Sequence, residues 1–245
     1  GFEYNWARSG ATAESLLSEG QHTGLAEQVA AGNVSHVLYW VGTNDFSTHS
    51  GQYGEIYSGR LAGDALQSKI DGVVAEVETA IRTVTAAGPV RMVIVTMPDE
   101  GAVPVTLSAY PNPIGRQRVT DAIDAVNEGV LRVAAGHDVA VVDINDVVRR
   151  LLTRMGLNGR LKVGDESLNV FGRNDDPHFG RLGDSAGHAG TILAGYTANI
   201  LFAETFSRAF GVEIQPLTDD ELLQDAGLRT LPEGVTDAGN PCSSP

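Results

Sequence analysis

The chain has 245 residues, with 17 Lys+Arg against 31 Asp+Glu for a formal charge of -14, and is 42% hydrophobic and 20% charged. That composition is of a folding chain rather than a disordered one, and the length suits one large domain or two small ones. The acidic balance, with no Lys/Arg cluster, argues against nucleic acid and anionic membranes as partners, because phosphate recognition is driven by Lys and Arg. No apolar run reaches the roughly 18 residues that a transmembrane helix needs, and Cys242, the only cysteine, permits neither an intrachain disulfide nor a multi-cysteine zinc site.

Short apolar runs rich in β-branched residues alternate with longer amphipathic stretches, which predicts βαβ units around a parallel sheet. In chain order, residues 23–31 carry helical periodicity and residues 35–41 (SHVLYWV) read as a strand. Residues 66–87 place Leu66, Ile70, Val73, Val74, Val77 and Ile81 on one stripe, with Gly88-Pro89 as the stop. A strand at 90–96 (VRMVIVT), a helix at 115–135, a strand at 138–143 (DVAVVD) and a helix at 145–155 follow. Residues 157–187 are rich in Gly, Asn and Asp, lack periodicity and read as a long irregular loop. Beyond a helix at 191–210, Thr218 and Asp219 can cap a short helix through Ala226, with Gly227 as its stop. The expected organisation is one domain over 1–231 and a disordered tail over 232–245.

In a parallel sheet, ligands sit beyond the carboxyl ends of the strands, so the residues that follow each strand carry most weight. The first strand is followed by Gly42-Thr43-Asn44-Asp45. Gly42 permits a sharp turn, and Asn44 would then present a neutral amide with two N–H donors, able to stabilise a developing oxyanion. Asn and Asp in this place also simply make turns. Upstream, Asn5 to Thr12 (NWARSGAT) sets Gly10 among small polar neighbours before a helical segment. Its backbone could supply a second oxyanion donor, or the stretch could serve only as a helix start capped by Thr12. Downstream, Gly183-Asp-Ser-Ala-Gly-His188 lies before the helix near Thr191. A carboxylate four residues before a histidine shares its face if the turn is helical, and could orient the imidazole as a general base; a solvated Asp beside a helix-start His is the plainer alternative.

Together these segments resemble the SGNH hydrolases, the GDSL-type lipases and esterases, over about residues 4–228. The resemblance implies an α/β fold of three αβα layers with a flavodoxin-like parallel sheet. It also implies hydrolysis of a small-molecule acyl ester by a serine, histidine and aspartate, with no organic cofactor or catalytic metal. Residues 5–12 look like the family's second block, with Gly10 as backbone oxyanion donor. Gly42-Thr43-Asn44-Asp45 looks like the third block, with Asn44 as the side-chain donor. Residues 188–199 look like the fifth, with His188 as base and Asp184 as its orienter. An extracellular or periplasmic location fits the same resemblance.

Two departures bear on mechanism. The family spaces its aspartate three residues before the histidine, whereas Asp184 stands four before His188 with Ser185 between; Asp175 and Asp176 with His178 form an alternative acid–base group. The family's first block, a strand ending in the Gly-Asp-Ser nucleophile turn, would precede the second, and this chain opens at the second with Gly1. The expectation is a fragment or processed chain without its first strand, leaving a sheet edge that a second copy could cover.

Gly183-Asp-Ser185-Ala-Gly187 also matches the Gly-x-Ser-x-Gly nucleophile elbow, which makes Ser185 a candidate nucleophile. Residues 176–182 make a poor strand to precede such an elbow, and no histidine follows His188. Ser9, within the oxyanion loop, is weaker still. A domain that binds an acylated ligand or a partner chain without turnover is the alternative class. The acidic loop from Asp165 to Asp184 lacks the spacing of a calcium-binding loop and reads as solvated.

Overall fold

The structure, a computed structural model, describes residues 3–49, 52–102, 106–107, 109–156, 158–183 and 188–230. The chain forms two compact units, Phe2–Asp146 and Val147–Pro245, the second also including Gly1.

The larger unit holds a parallel sheet of three strands in the order β1 (His36–Tyr39), β2 (Arg91–Val95) and β3 (Ala140–Val142). Register runs from His36 opposite Arg91 and from Val93 opposite Ala140. The three strands lie within the runs expected from β-branched content. Their helices are α1 (Ala13–Ser18), α2 (Gln21–Ala30), α3 (Thr43–Phe46), α4 (Gln52–Ser58), α5 (Gly63–Ala86) and α6 (Pro113–Gly136). The stripe on α5 is the core face: Ile70, Val73, Val77 and Ile81 are buried, joined by Ala80 and Val84. They share one apolar cluster with Val37, Tyr39, Met92 and Ile94 of the sheet and Val119, Ile123, Val126 and Val130 of α6. Among the described residues β1 has a strand partner on one side only, and Trp40 at its end is 42% exposed.

Helix α7 (Ile144–Thr153) contains the point of division between the units. In the smaller unit, the irregular loop expected over 157–187 is corrected: it contains a second sheet. Strand β4 (Arg160–Val163) pairs antiparallel with β5 (Glu166–Arg173), and β5 pairs parallel with β6 (Phe179–Arg181). Sequence reasoning missed it because Gly, Asn and Asp dilute the β-branched content over 157–187, and the β5–β6 pairing carries a register shift between Asn169 and Arg173. Leu161, Val163 and Leu168 of this sheet share a core with Ile192, Leu193 and Tyr196.

The single helix expected over 191–210 is three segments: α8 (Thr191–Ala198), a π-helix (Asn199–Phe206) and α9 (Ser207–Phe210). Thr218 caps α10 (Asp219–Asp225) as the sequence suggests, in a reciprocal box with Glu221, and Gly227 turns at φ 73. The expected tail, 232–245, lies outside the described residues. No helix among the described residues is long and apolar enough to cross a membrane.

Candidate active site

In the larger unit the segment before α1 is held by its aromatic residue. Trp6 donates its indole N–H to Gln28 at 2.8 Å, and its carbonyl accepts from Gln21 at 2.9 Å. The ring lies so close to Gly24 that a Cβ there would sit 2.2 Å from Trp6. Thr12 then caps α1: its hydroxyl accepts from the Ser15 N–H at 3.0 Å while the Ser15 hydroxyl accepts from the Thr12 N–H at 2.9 Å. Between these anchors Gly10 turns with φ 79 and is exposed. The next N–H, of Ala11, donates to the Arg8 carbonyl at 3.2 Å, whereas the Gly10 N–H meets no acceptor among the described residues.

The turn after β1 is just as constrained. Gly42 has φ 116, and a Cβ on it would lie 2.0 Å from Met97 Cε, so both backbone and space require glycine here. The chain enters α3 directly, with the Asp45 N–H donating to the Gly42 carbonyl at 3.0 Å. That places Asn44 half-buried with its amide reaching the other segment: Asn44 Nδ2 donates to the Ala11 carbonyl at 2.9 Å. Gly10 and Asn44, 34 positions apart in the chain, are thus linked through Ala11, and the second N–H of the Asn44 amide is bonded to no protein group among the described residues. An exposed backbone donor beside a half-buried amide donor is an arrangement able to bind an oxyanion.

Sequence reasoning missed what underlies this turn. Asp45 is 1% exposed; its carboxylate accepts from the Ala13 N–H at 2.8 Å and from Lys69 Nζ of α5 at 3.0 Å. Nearby, Glu76 keeps one buried oxygen without a hydrogen-bond partner. Burial foremost, then the charge of Asp45, pushes its carboxyl above the ordinary range, with Lys69 opposing. The Tyr39 phenol is also pushed up, by burial and then by Asp45 and Glu76. The one usable sequence signal was a rare residue type, since Lys69 and Lys162 are the only lysines in the chain.

The smaller unit holds the titratable candidates. Of the downstream group, Asp184 and Ser185 lie outside the described residues. His188 is exposed, and its carbonyl accepts from the Leu182 N–H at 2.8 Å as Ala189 bridges antiparallel to Arg181. The run 176–182, judged a poor strand, contains β6, so the segment before Gly183 is corrected to a strand.

The alternative group is well defined. Pairing of β5 with β6 seats His178, whose carbonyl accepts from the Asn169 N–H at 2.8 Å. Asp176 accepts from both the backbone N–H and the ring Nδ1 of His178, at 2.8 and 2.9 Å. His178 Nε2 lies 3.4 Å from Glu166 Oε2. The Asp176 bond foremost, against a small opposing effect of burial and with help from Glu166, holds the imidazole above the ordinary histidine value. Asp176 is correspondingly held low, first by the backbone N–H and then by the ring. Asp175 is occupied elsewhere, accepting from the Gly183 N–H at 3.0 Å.

This unit also has a cavity of about 300 Å³ lined in part by Arg150, Arg154, Tyr196, Glu204 and Asp219. Arg150 pairs with Glu204, Arg154 lies over the Tyr196 ring, and the Tyr196 hydroxyl donates to Asp219 at 2.6 Å. Its two cations are matched by two carboxylates. Among the described residues no group of three or more His, Cys, Asp or Glu could hold a metal ion.

Residues 2–185 match the model of the GDSL-like Lipase/Acylhydrolase family, and the chain belongs to that family. The match takes in Gly10, Gly42, Asn44, Asp176 and His178 and ends before His188. No curated protein and no solved structure matches the chain.

Proposed function

We propose that the protein is a serine ester hydrolase acting on acyl esters of small molecules. The observation that carries this reading is the junction of Gly10 and Asn44 through the 2.9 Å bond to Ala11. In the proposed reaction a serine attacks the acyl carbonyl, a histidine takes its proton, and the Gly10 N–H and Asn44 amide stabilise the tetrahedral oxyanion. The protonated histidine then gives its proton to the leaving alcohol, and water releases the acyl group by the same steps in reverse order.

Two histidines compete for the base. His188 with Asp184 follows from the resemblance. His178 with Asp176 is favoured by the 2.9 Å carboxylate contact, the arrangement that fixes a tautomer and supports an imidazolium. Glu166 would have to leave Nε2 for that atom to serve. The nucleophile in this reading is Ser185. Among the described residues β1 has a strand partner on one side only, and a second copy of the chain covering that edge would appear as a dimer in light scattering across concentration.

The test is labelling of the chain with a fluorophosphonate, located by peptide mass spectrometry, beside hydrolysis of a short nitrophenyl ester. A label on Ser185 with turnover that falls in Asn44→Ala supports the reading. Turnover that persists in Asn44→Ala removes the amide from the mechanism. A chain that neither labels nor turns over ester removes Ser185 as the nucleophile, and only binding of the intact ester by that chain supports the alternative, a binding module.

A further inference from the structure

We infer that Asp45, charge-paired with Lys69, is the positioning residue of the oxyanion site, clamping the loop that carries Gly10 in register with Asn44. The inference rests on the hydrolase reading above and adds to it residues that do not themselves touch substrate.

Two neighbouring residues of one turn reach the end of the Gly10 loop and the first residue of the helix α1 that it enters. Asn44 donates to the Ala11 carbonyl at 2.9 Å, and Asp45 accepts from the Ala13 N–H at 2.8 Å. A single bond would fix a distance and leave the loop free to pivot; two bonds on either side of Thr12 fix its orientation as well. Orientation is what an oxyanion donor needs, because a hydrogen bond weakens steeply as its angle departs from linear. The Asn44 bond alone cannot do this, since that side chain is also the proposed donor to substrate and must remain poised in one rotamer.

Lys69 makes the clamp tenable. The Asp45 side chain is wholly buried, and a buried carboxylate without a cation is costly enough that the group would neutralise or the turn would open. Lys69 stands on α5, whose apolar stripe is locked in the core, so the cation is delivered from a rigid element. Its ammonium engages Oδ1 and leaves Oδ2 for Ala13. An arginine, with its planar fork, would tend to take both oxygens. In a chain whose 17 basic residues include only two lysines, a lysine here therefore has a chemical reason. The Lys69 ammonium hydrogen-bonds to Asp45, whereas the buried Oε2 of Glu76 has no hydrogen-bond partner.

The experiment uses the full chain with Asp45→Asn and, because that change may disturb folding, Lys69→Met as a second variant at a partly exposed side chain. Amide hydrogen exchange and amide spectra are read at Gly10, Ala11 and Ala13. The Met97 N–H, bonded to Asn127 at 2.8 Å in the same unit, is the control. Expected in both variants is Ala13 exchange faster by about tenfold or more, shifted Gly10 and Ala11 resonances, and Met97 unchanged. Ester kcat should fall on the order of 10-fold to 10²-fold with KM little altered, because the donors act on the transition state. Unchanged Ala13 exchange in Lys69→Met overturns the clamp, without requiring any turnover. A loosened loop with undiminished kcat, where Asn44→Ala does lower kcat, overturns the positioning role. If Asn44→Ala leaves hydrolysis unchanged, the hydrolase reading fails separately, and the exchange data alone judge whether Asp45 holds the loop.

Discussion

The two groups of candidate residues are built on opposite physical plans. Around Gly10 and Asn44 the polar bonds are buried or half-buried and neutralised within a packed unit: Asp45 sees a lysine and a backbone N–H, and Gly42 is pressed against Met97. Around His178 the groups are largely exposed, and Asp176 and Glu166 flank one imidazole on the short β5–β6 pair. The first plan preorganises donors, which suits stabilising a charge that appears only in the transition state. The second leaves an imidazole whose protonation the solvent can reach, which suits a proton carrier. Water screens the second plan more than the buried Asp45 carboxylate of the first, so substitutions around His178 should move protonation more than stability.

The largest effect that can break this comparison is loss of the base. His178→Gln should lower kcat/KM on the order of 10³-fold to 10⁴-fold if His178 is the proton carrier, with His188→Gln nearly silent; the reverse pattern in paired nitrophenyl ester assays would move the role to His188. In the first case the rising limb of the pH–rate profile should lie above the ordinary histidine value, as the Asp176 contact dictates. Next comes Asn44→Ala, expected to cost on the order of 10²-fold to 10³-fold in kcat with a nearly unchanged melting temperature. Gly42→Ala should act on stability instead, by ~1–3 kcal/mol in denaturant titration, because the new methyl meets Met97 at positive φ; a neutral result would mean that the turn relaxes freely.

Smaller effects sharpen the contrast. Asp176→Asn should lower the His178 pKa towards its ordinary value, read by imidazole NMR titration, with little change in melting temperature. Glu76→Gln probes the buried plan through its sign. Glu76 is held above its ordinary value of 4.5, so the folded state binds that proton more tightly than the unfolded one. Its contribution is then present below 4.5 and lost as pH rises through the raised value. Glu76→Gln should therefore raise the melting temperature at pH 7 by on the order of 1 °C, and the gain should vanish near pH 4. A destabilised variant at pH 7 would mean that the Glu76 charge supports Lys69 more than burial penalises it.

Much of the larger unit was legible in the residue order because its elements announce themselves locally. The runs around Val37, Val93 and Val141 are dense in β-branched residues, and the stripe on α5 repeats at helical spacing; in the smaller unit Thr218 marked the start of α10 in the same local way. Gly10, Gly42 and Asn44 could be singled out for the same reason, since turns after strands depend on nearby residue types. The second sheet was not legible: Gly, Asn and Asp dilute its apolar residues, and β6 pairs with β5 through a register shift that no local pattern records. Nor was the break of the 191–210 helix into a π-helix, because its apolar content continues unbroken through that stretch.

Sequence by itself determined the α/β class, the acidic balance of the chain and the residue types at the turns, all properties of composition or of neighbours along the chain. Tertiary structure decided which of those residues meet. Ala11 meets Asn44 across 33 positions, Asp45 meets Lys69 across 24, and Glu166 closes on His178 only because β5 lies beside β6. Such contacts depend on how buried surfaces pack, and a carboxylate pattern carries no mark of whether its partner will be a lysine, a backbone N–H or water. For that reason the motif could nominate Asn44, while the buried charge beneath it became visible only in three dimensions.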